Sequence, residues 1–190
     1  MAVELMKLRL DKYLADMGIG TRTEVKKAIT KGQVRVNEET VKRPEIKIDT
    51  EKDHVFYQGQ MVAYAEYEYY MLNKPAGVVS ATEDKNDSTV LDLIDEKQRK
   101  DLFPVGRLDK DTEGLLLITN DGELAHQLLS PKKHVDKVYF ARIDGKVTEE
   151  DVRRFAEGLE IGEEKPTLPA HLEILKREEI SEIRLTIREG

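Results

Sequence analysis

The chain has 190 residues, enough for one or two domains, and a formal net charge of -7. Charged residues make up 36% of it, against roughly 25% in an average protein, which suits small cores under a large solvated surface, as two lobes would have. Cysteine is absent, which excludes disulfides and thiolate metal sites, and no apolar run approaches the ~18 residues of a membrane span.

The negative average hides a basic start. Residues 7–43 hold ten Lys or Arg and five Asp or Glu, a local +5, so the remainder carries -12. Such a split suggests a basic RNA-binding arm. Met1–Glu4 offers no signal-peptide core, so a soluble, cytoplasmic protein is expected.

In chain order, Leu10, Tyr13, Leu14 and Met17 fall at helical spacing, with Gly18 as C-terminal cap. Thr21 and Glu24 form a capping box for a second helix with Val25, Ala28 and Ile29 on one face. Lys26, Lys27 and Lys31 lie opposite, with Arg22 beside them. Such a face is usually no more than solvated. Here its sign bias points to phosphate contacts, which need cations and no sequence code; Arg9, Lys12 and Arg35 join the candidate set. After Gly32, Gln33–Asn37 alternates like a strand, and short strands are expected around Glu45–Ile48 and His54–Tyr57. His54 has no neighbouring His or Cys and reads as a strand residue, not a ligand. A domain boundary falls within Met61–Glu66, dividing the chain into 1–62 and 63–190. Tyr64, Tyr67, Tyr69 and Tyr70 could stack RNA bases, but read better as core and cross-strand aromatics.

Farther on, Lys74–Gly77 is a turn, Val78–Val79 resumes a strand, and Ser88 or Thr89 caps a short helix through Ile94. The loop Pro104–Gly114 is dense in charge, bracketed by Gly106 and Gly114, and welded to Leu115–Thr119, which reads as a buried strand. It holds the carboxylate of Asp109 on a short tether beside a core strand, where a nucleophile or general base is commonly placed. The plainer reading is that Asp109 or Asp111 only satisfies loop amides. Calcium fails: Asp109, Asp111, Glu113 and Gly114 match the first half of an EF-hand loop, but Leu115, Leu117 and Asn120 replace the later ligands. Beyond it come a turn at Asn120–Gly122, a helix over Glu123–Leu129 and a strand over Val138–Ile143. A Thr148-capped helix then covers Glu149–Glu157, followed by strands over Ala170–Leu175 and Ile183–Ile187. Strands with irregularly placed helices make this α+β, with a mixed, mostly antiparallel sheet. No P-loop or dinucleotide fingerprint occurs.

The words Gly106-Arg107-Leu108-Asp109 and Thr112-Glu113-Gly114-Leu115-Leu116-Leu117 resemble the signature of the pseudouridine synthases that modify ribosomal RNA. Asn73-Lys74-Pro75-Ala76-Gly77, Thr119–Leu124 and Lys137-Val138-Tyr139 are similar to further landmarks of that family, so the resemblance covers nearly the whole chain. Arg9–Lys12, Gly18, Thr21-Arg22, Ile29, Gly32–Val34 and Val36-Asn37 resemble the small RNA-binding module first seen in a small-subunit ribosomal protein. Asn37-Glu38 stands where that module often has Asn-Gly, which is expected to loosen the hairpin.

The resemblance implies isomerisation of a flipped-out uridine with Asp109 as nucleophile, on ribose or base. Arg107 would hold the backbone or fill the vacated space, and Tyr139 would pack on the base. No cofactor or metal is implied. Tyr70–Pro75 and Pro166–Ala170 look closer to the small-subunit branch, so 16S RNA in an assembling subunit is the favoured partner, bound by a monomer. A large-subunit synthase and a non-catalytic RNA-binding assembly factor are the alternatives. In the family, a His-Gln-containing stretch and a basic residue that pairs with the catalytic Asp follow the point where this chain ends. A catalytic domain truncated at its C-terminus is therefore expected, with activity left open.

Overall fold

The computed structural model describes residues 7–95, 97–133 and 135–189. The chain forms two compact units, Met1–Asp121 and Gly122–Gly190, each described by itself.

The first unit opens with strand β1 (Lys7–Arg9), helix α1 (Leu10–Asp16) and helix α2 (Arg22–Thr30). The capping box forms as the sequence predicts. Thr21 Oγ1 accepts from the Glu24 amide at 3.3 Å, and the Glu24 carboxylate accepts from the Thr21 amide at 2.8 Å. Val25, Ala28 and Ile29 are buried, leaving Lys26, Lys27 and Lys31 exposed. Strands β2 (Val34–Val36), β3 (Glu39–Val41), β4 (Lys47–Asp49), β5 (Val55–Tyr57) and β6 (Gln60–Val62) follow. They pair as the antiparallel sheet β3-β2-β5-β6 and the two-stranded β1-β4. Leu10, Tyr13, Leu14, Met17, Val25, Ile29, Val34, Ile48 and Val55 form one core.

The Asn37-Glu38 hairpin is tied where loosening was expected. Asn37 takes φ 55°, which Asn tolerates. Its side chain donates to Asp53 at 3.0 Å and accepts from the His54 amide at 2.9 Å. A clamp to the next loop does the work of the missing glycine.

The rest of this unit is a second sheet with its own core. Strands β7 (Tyr69–Lys74), β8 (Phe103–Val105) and β9 (Gly114–Thr119) pair antiparallel in the order β7-β9-β8. Val78, Val90, Leu91, Ile94, Leu102, Leu116 and Ile118 are buried against one face. Several expectations change here. Strand β9 alternates: Leu116 and Ile118 point inward while Leu115 is 70% exposed, because successive strand residues face opposite sides. Pro104 and Val105 are strand, not loop; as the outer member of the sheet, β8 can accommodate a proline that has no N–H to donate. Val78-Val79 makes only one parallel bridge, Val79 to Thr89, since the chain turns inward at buried Val78 and Ser80. The helix capped by Thr89 is a 3₁₀ turn over Val90–Leu93.

The tyrosines divide. Tyr64 stacks on Tyr13 with ring centroids 5.0 Å apart, and Tyr70 packs on the second core. Tyr69 is 56% exposed and lies tilted beside Tyr67. The core reading holds for two of the four.

The second unit begins with helix α3 (Gly122–Leu129) and a 3₁₀ turn over Pro131–Lys133. Strand β10 (Lys137–Asp144), helix α4 (Glu149–Glu157), β11 (His171–Lys176) and β12 (Ile180–Ile187) follow. The antiparallel order β10-β12-β11 places β12 in the centre, and Val147, Leu172 and Ile183 are buried with Val152 and Phe155 of α4 packed against them. Thr148 caps α4 as expected, and Gly158 ends it at φ 93°. The fold is α+β throughout.

Candidate active site

The loop from Gly106 to Glu113 joins β8 to β9, so both ends are fixed by adjacent strands. Gly106 starts it at φ 87°, a conformation glycine takes without steric cost. Leu108 points inward and packs on the second core. Its backbone is gripped by Ser80, whose hydroxyl donates to the Leu108 carbonyl at 2.7 Å and accepts from the Leu108 amide at 3.1 Å. The neighbours on either side, Arg107 and Asp109, are both exposed.

Below the loop lies Lys74, 0% exposed at the end of β7. Its Nζ donates to the carbonyls of Pro75 (3.1 Å), Asp109 (2.9 Å), Lys110 (3.1 Å) and Thr112 (2.8 Å). A lysine ammonium has three protons, so four acceptors share them. The cost of burying the amine, several kcal/mol for an isolated charge, is offset by charge-assisted bonds of about 1.5–3 kcal/mol each. The Gly77 amide adds a bond to the Lys110 carbonyl at 2.8 Å, and the Thr112 amide bonds the Asp109 carbonyl at 3.0 Å. Outside, Lys110 Nζ pairs with Asp87 at 2.7 Å; that contact holds the Lys110 amine above its ordinary pKa.

The backbone is therefore locked from beneath while the loop's carboxylates, Asp109, Asp111 and Glu113, are left without a hydrogen bond or ion pair among the described residues. The Leu108 amide bonds the Ser80 hydroxyl and the Thr112 amide bonds the Asp109 carbonyl, and neither uses the side chain of Asp109 or Asp111. The chemistry this permits is attack by a preorganised carboxylate on a group presented from solvent.

Residues 68–190 match the family described as RNA pseudouridylate synthase. The chain belongs to that family. Residues 8–55 of this synthase also match the S4 domain. It is 45% identical over 185 residues to a Bacillus subtilis relative named "Uncharacterized RNA pseudouridine synthase YtzG", covering 96% of this chain and 77% of the relative. It is 38% identical to the "Ribosomal large subunit pseudouridine synthase B" of Bacillus subtilis, over 96% of this chain and 75% of the other. It is 40% identical to the "Ribosomal small subunit pseudouridine synthase A" of Vibrio vulnificus, over 96% and 78%. A crystal structure of a pseudouridylate synthase superposes with TM-score 0.60 at 38% identity, over 96% of this chain and 78% of that one.

Of the residues singled out from sequence, Arg107 and Asp109 share the clamped loop. Tyr139 lies in the second unit, half-buried on β10 opposite Leu185 of β12. The basic candidates Arg9, Lys12, Arg22, Lys26, Lys27, Lys31 and Arg35 are all exposed. Three of them have partners. Arg9 forks onto buried Asp11 at 3.0 and 2.8 Å, Lys26 approaches the same carboxylate at 3.9 Å, and the Arg35 guanidinium sits 5.0 Å from the centroid of Phe56. The clamp residues Lys74 and Ser80 were assigned no role from sequence. Lys74 carried a signal, a lysine closing an apolar strand before proline; Ser80, 28 positions from its partner, carried none.

Proposed function

We propose that the synthase converts one uridine of ribosomal RNA into pseudouridine, with Asp109 as nucleophile and the target base flipped out of its stack. The observation that carries this is the free, exposed Asp109 carboxylate on a loop whose backbone is tied by Lys74, Ser80 and Gly77. Such a group pays no reorganisation cost at the moment of attack. Flipping the base costs a few kcal/mol, which Arg107, beside the carboxylate, and Tyr139 would offset by filling the gap and packing on the base. The basic face of α1, α2 and β2 would bind phosphates. Residues 1–62 then form the RNA-gripping part and 63–190 the catalytic part.

The small-subunit RNA is favoured on Tyr70–Pro75 and Pro166–Ala170, with the protein acting as a cytoplasmic monomer, without a cofactor, on an assembling particle. The large-subunit reading draws on the 38% identity to a synthase named for that subunit. Isomerisation breaks the N-glycosidic bond and rejoins the ring through carbon five, releasing the hydrogen there. Incubating the protein with 16S and 23S transcripts tritiated at that carbon should release tritium from 16S. No release from either RNA overturns the proposal; release from 23S alone shifts it to the large subunit.

A further inference from the structure

Arg99 is 6% exposed, yet it belongs to no loop that holds a candidate site residue. It lies in the segment between the 3₁₀ turn and β8. Each nitrogen of its fork donates: Nε and Nη2 to the two Asp101 oxygens at 2.8 and 2.6 Å, and Nη1 to the Ala65 carbonyl at 3.1 Å. Nη1 also lies 3.9 Å from Asp16, at the end of α1, and the guanidinium sits 5.8 Å from the centroid of Tyr64. Tyr64 in turn stacks on Tyr13 of α1. The amides of Gln98 and Arg99 both donate to the Glu68 carboxylate, at 3.1–3.3 Å.

Two further observations point to the same junction. Gly18, at the end of α1 with φ 75°, lies so near Gln98 that a β-carbon there would meet its carbonyl oxygen at 3.1 Å. A planar bidentate fork also fixes orientation as well as distance, which a lysine does not. The chain then runs from Arg99 through Leu102 in the second core to β8, whose end opens the Asp109 loop.

We infer that Arg99 is a positioning residue: it locks the α1–α2 module to the sheet that carries the Asp109 loop, so that the module's grip on RNA sets which uridine reaches the carboxylate. This rests on the reading of Asp109 and the basic face given above. It adds a ruler: a module on a loose tether would raise affinity without selecting a position, whereas a fixed one converts binding at one place into alignment at another.

The test uses the natural lack of cysteine. Spin labels at Glu39→Cys on β3 and Met71→Cys on β7, both exposed, report the module-to-sheet distance by electron paramagnetic resonance. The distribution is narrow in the parent and broadens in Arg99→Gln, while circular dichroism stays unchanged. Asp16→Asn, which removes only the module-side carboxylate, gives partial broadening and serves as the second variant where Arg99→Gln does not fold. In parallel, Arg99→Gln keeps its dissociation constant for ribosomal RNA within about twofold but loses on the order of tenfold to a hundredfold in kcat. Arg99→Lys restores less than half of that loss. An unchanged distance distribution in the variants overturns the inference, as does a kcat loss that only tracks weakened binding. If the parent itself releases no tritium, the pseudouridylation reading fails while the distance measurement still judges the lock.

Discussion

Asp109 and Lys74 are bound to one loop from opposite sides, one displaying a carboxylate and the other holding the carbonyls beneath it. Asp109→Asn keeps the shape and removes the carboxylate proposed as nucleophile; it should abolish tritium release while leaving RNA affinity within about threefold. Retained turnover would end the case for that residue. Lys74→Met removes the donor and strands the Pro75 and Thr112 carbonyls, since those of Asp109 and Lys110 keep the Thr112 and Gly77 amides, so urea unfolding should show a loss on the order of 3 kcal/mol. A change below about 0.5 kcal/mol would mean that water or a neighbour satisfies the loop equally well. Because Lys74 touches backbone only, turnover should fall through displacement of Asp109 and not through lost chemistry.

At the scale of elements, helix α2 divides its work between its two faces. Val25, Ala28 and Ile29 fix it to the core, leaving Lys26, Lys27 and Lys31 exposed, where phosphate contacts are proposed. Replacing the three lysines by Ala should weaken RNA binding and make the log–log salt slope shallower by about 2, at ~0.7 per phosphate contact. An unchanged slope would make that face merely solvated. The α1 start carries a pH signature. The Arg9 hydrogen bond holds the buried Asp11 carboxyl below its usual pKa, so its stabilisation is complete above the unfolded value near about 4 and is lost as pH falls through the folded one. Asp16 runs the other way: burial raises its pKa against the opposing pull of Arg99, so its charged form costs stability above the folded value. The gap in thermal midpoint between the parent and Asp11→Asn should therefore be widest near neutrality and close as pH drops below about 4. A constant gap would exclude Arg9–Asp11 as its source. Tyr13 stays protonated across this range, since burial pushes its hydroxyl up to about 12 while it donates to the Val62 carbonyl at 2.6 Å.

At the scale of the molecule, charge is partitioned so that a protein of net -7 can still bind a polyanion through its N-terminal part. Target choice belongs to this scale, because a uridine is selected partly by how readily it unstacks and partly by where neighbouring RNA shape is gripped. Mapping pseudouridines in cells lacking the protein should show one 16S position returned to uridine. Loss of a 23S position with 16S intact would reassign the substrate.

The local code determined a good deal. Thr21 with Glu24, Thr148 and Gly158 marked helix ends because caps are made by residues a few positions apart. The Asp109 loop was legible because a charged stretch between two glycines has few other folds available beside an apolar strand. Pairing across the chain decided the rest. Leu115–Thr119 read as a buried strand from four apolar letters and a threonine, but only the register against β7 shows that Leu115 faces out. Ser80 and Arg99 look like ordinary polar residues until folding brings Leu108, and Tyr64 with Asp16, beside them. Sequence by itself determined which residues carry the charge and where the chain turns, since those depend on neighbours within a helical turn. Only the tertiary structure decided which polar groups are buried, because a hydrogen bond formed across 28 or more positions leaves no trace in local spacing.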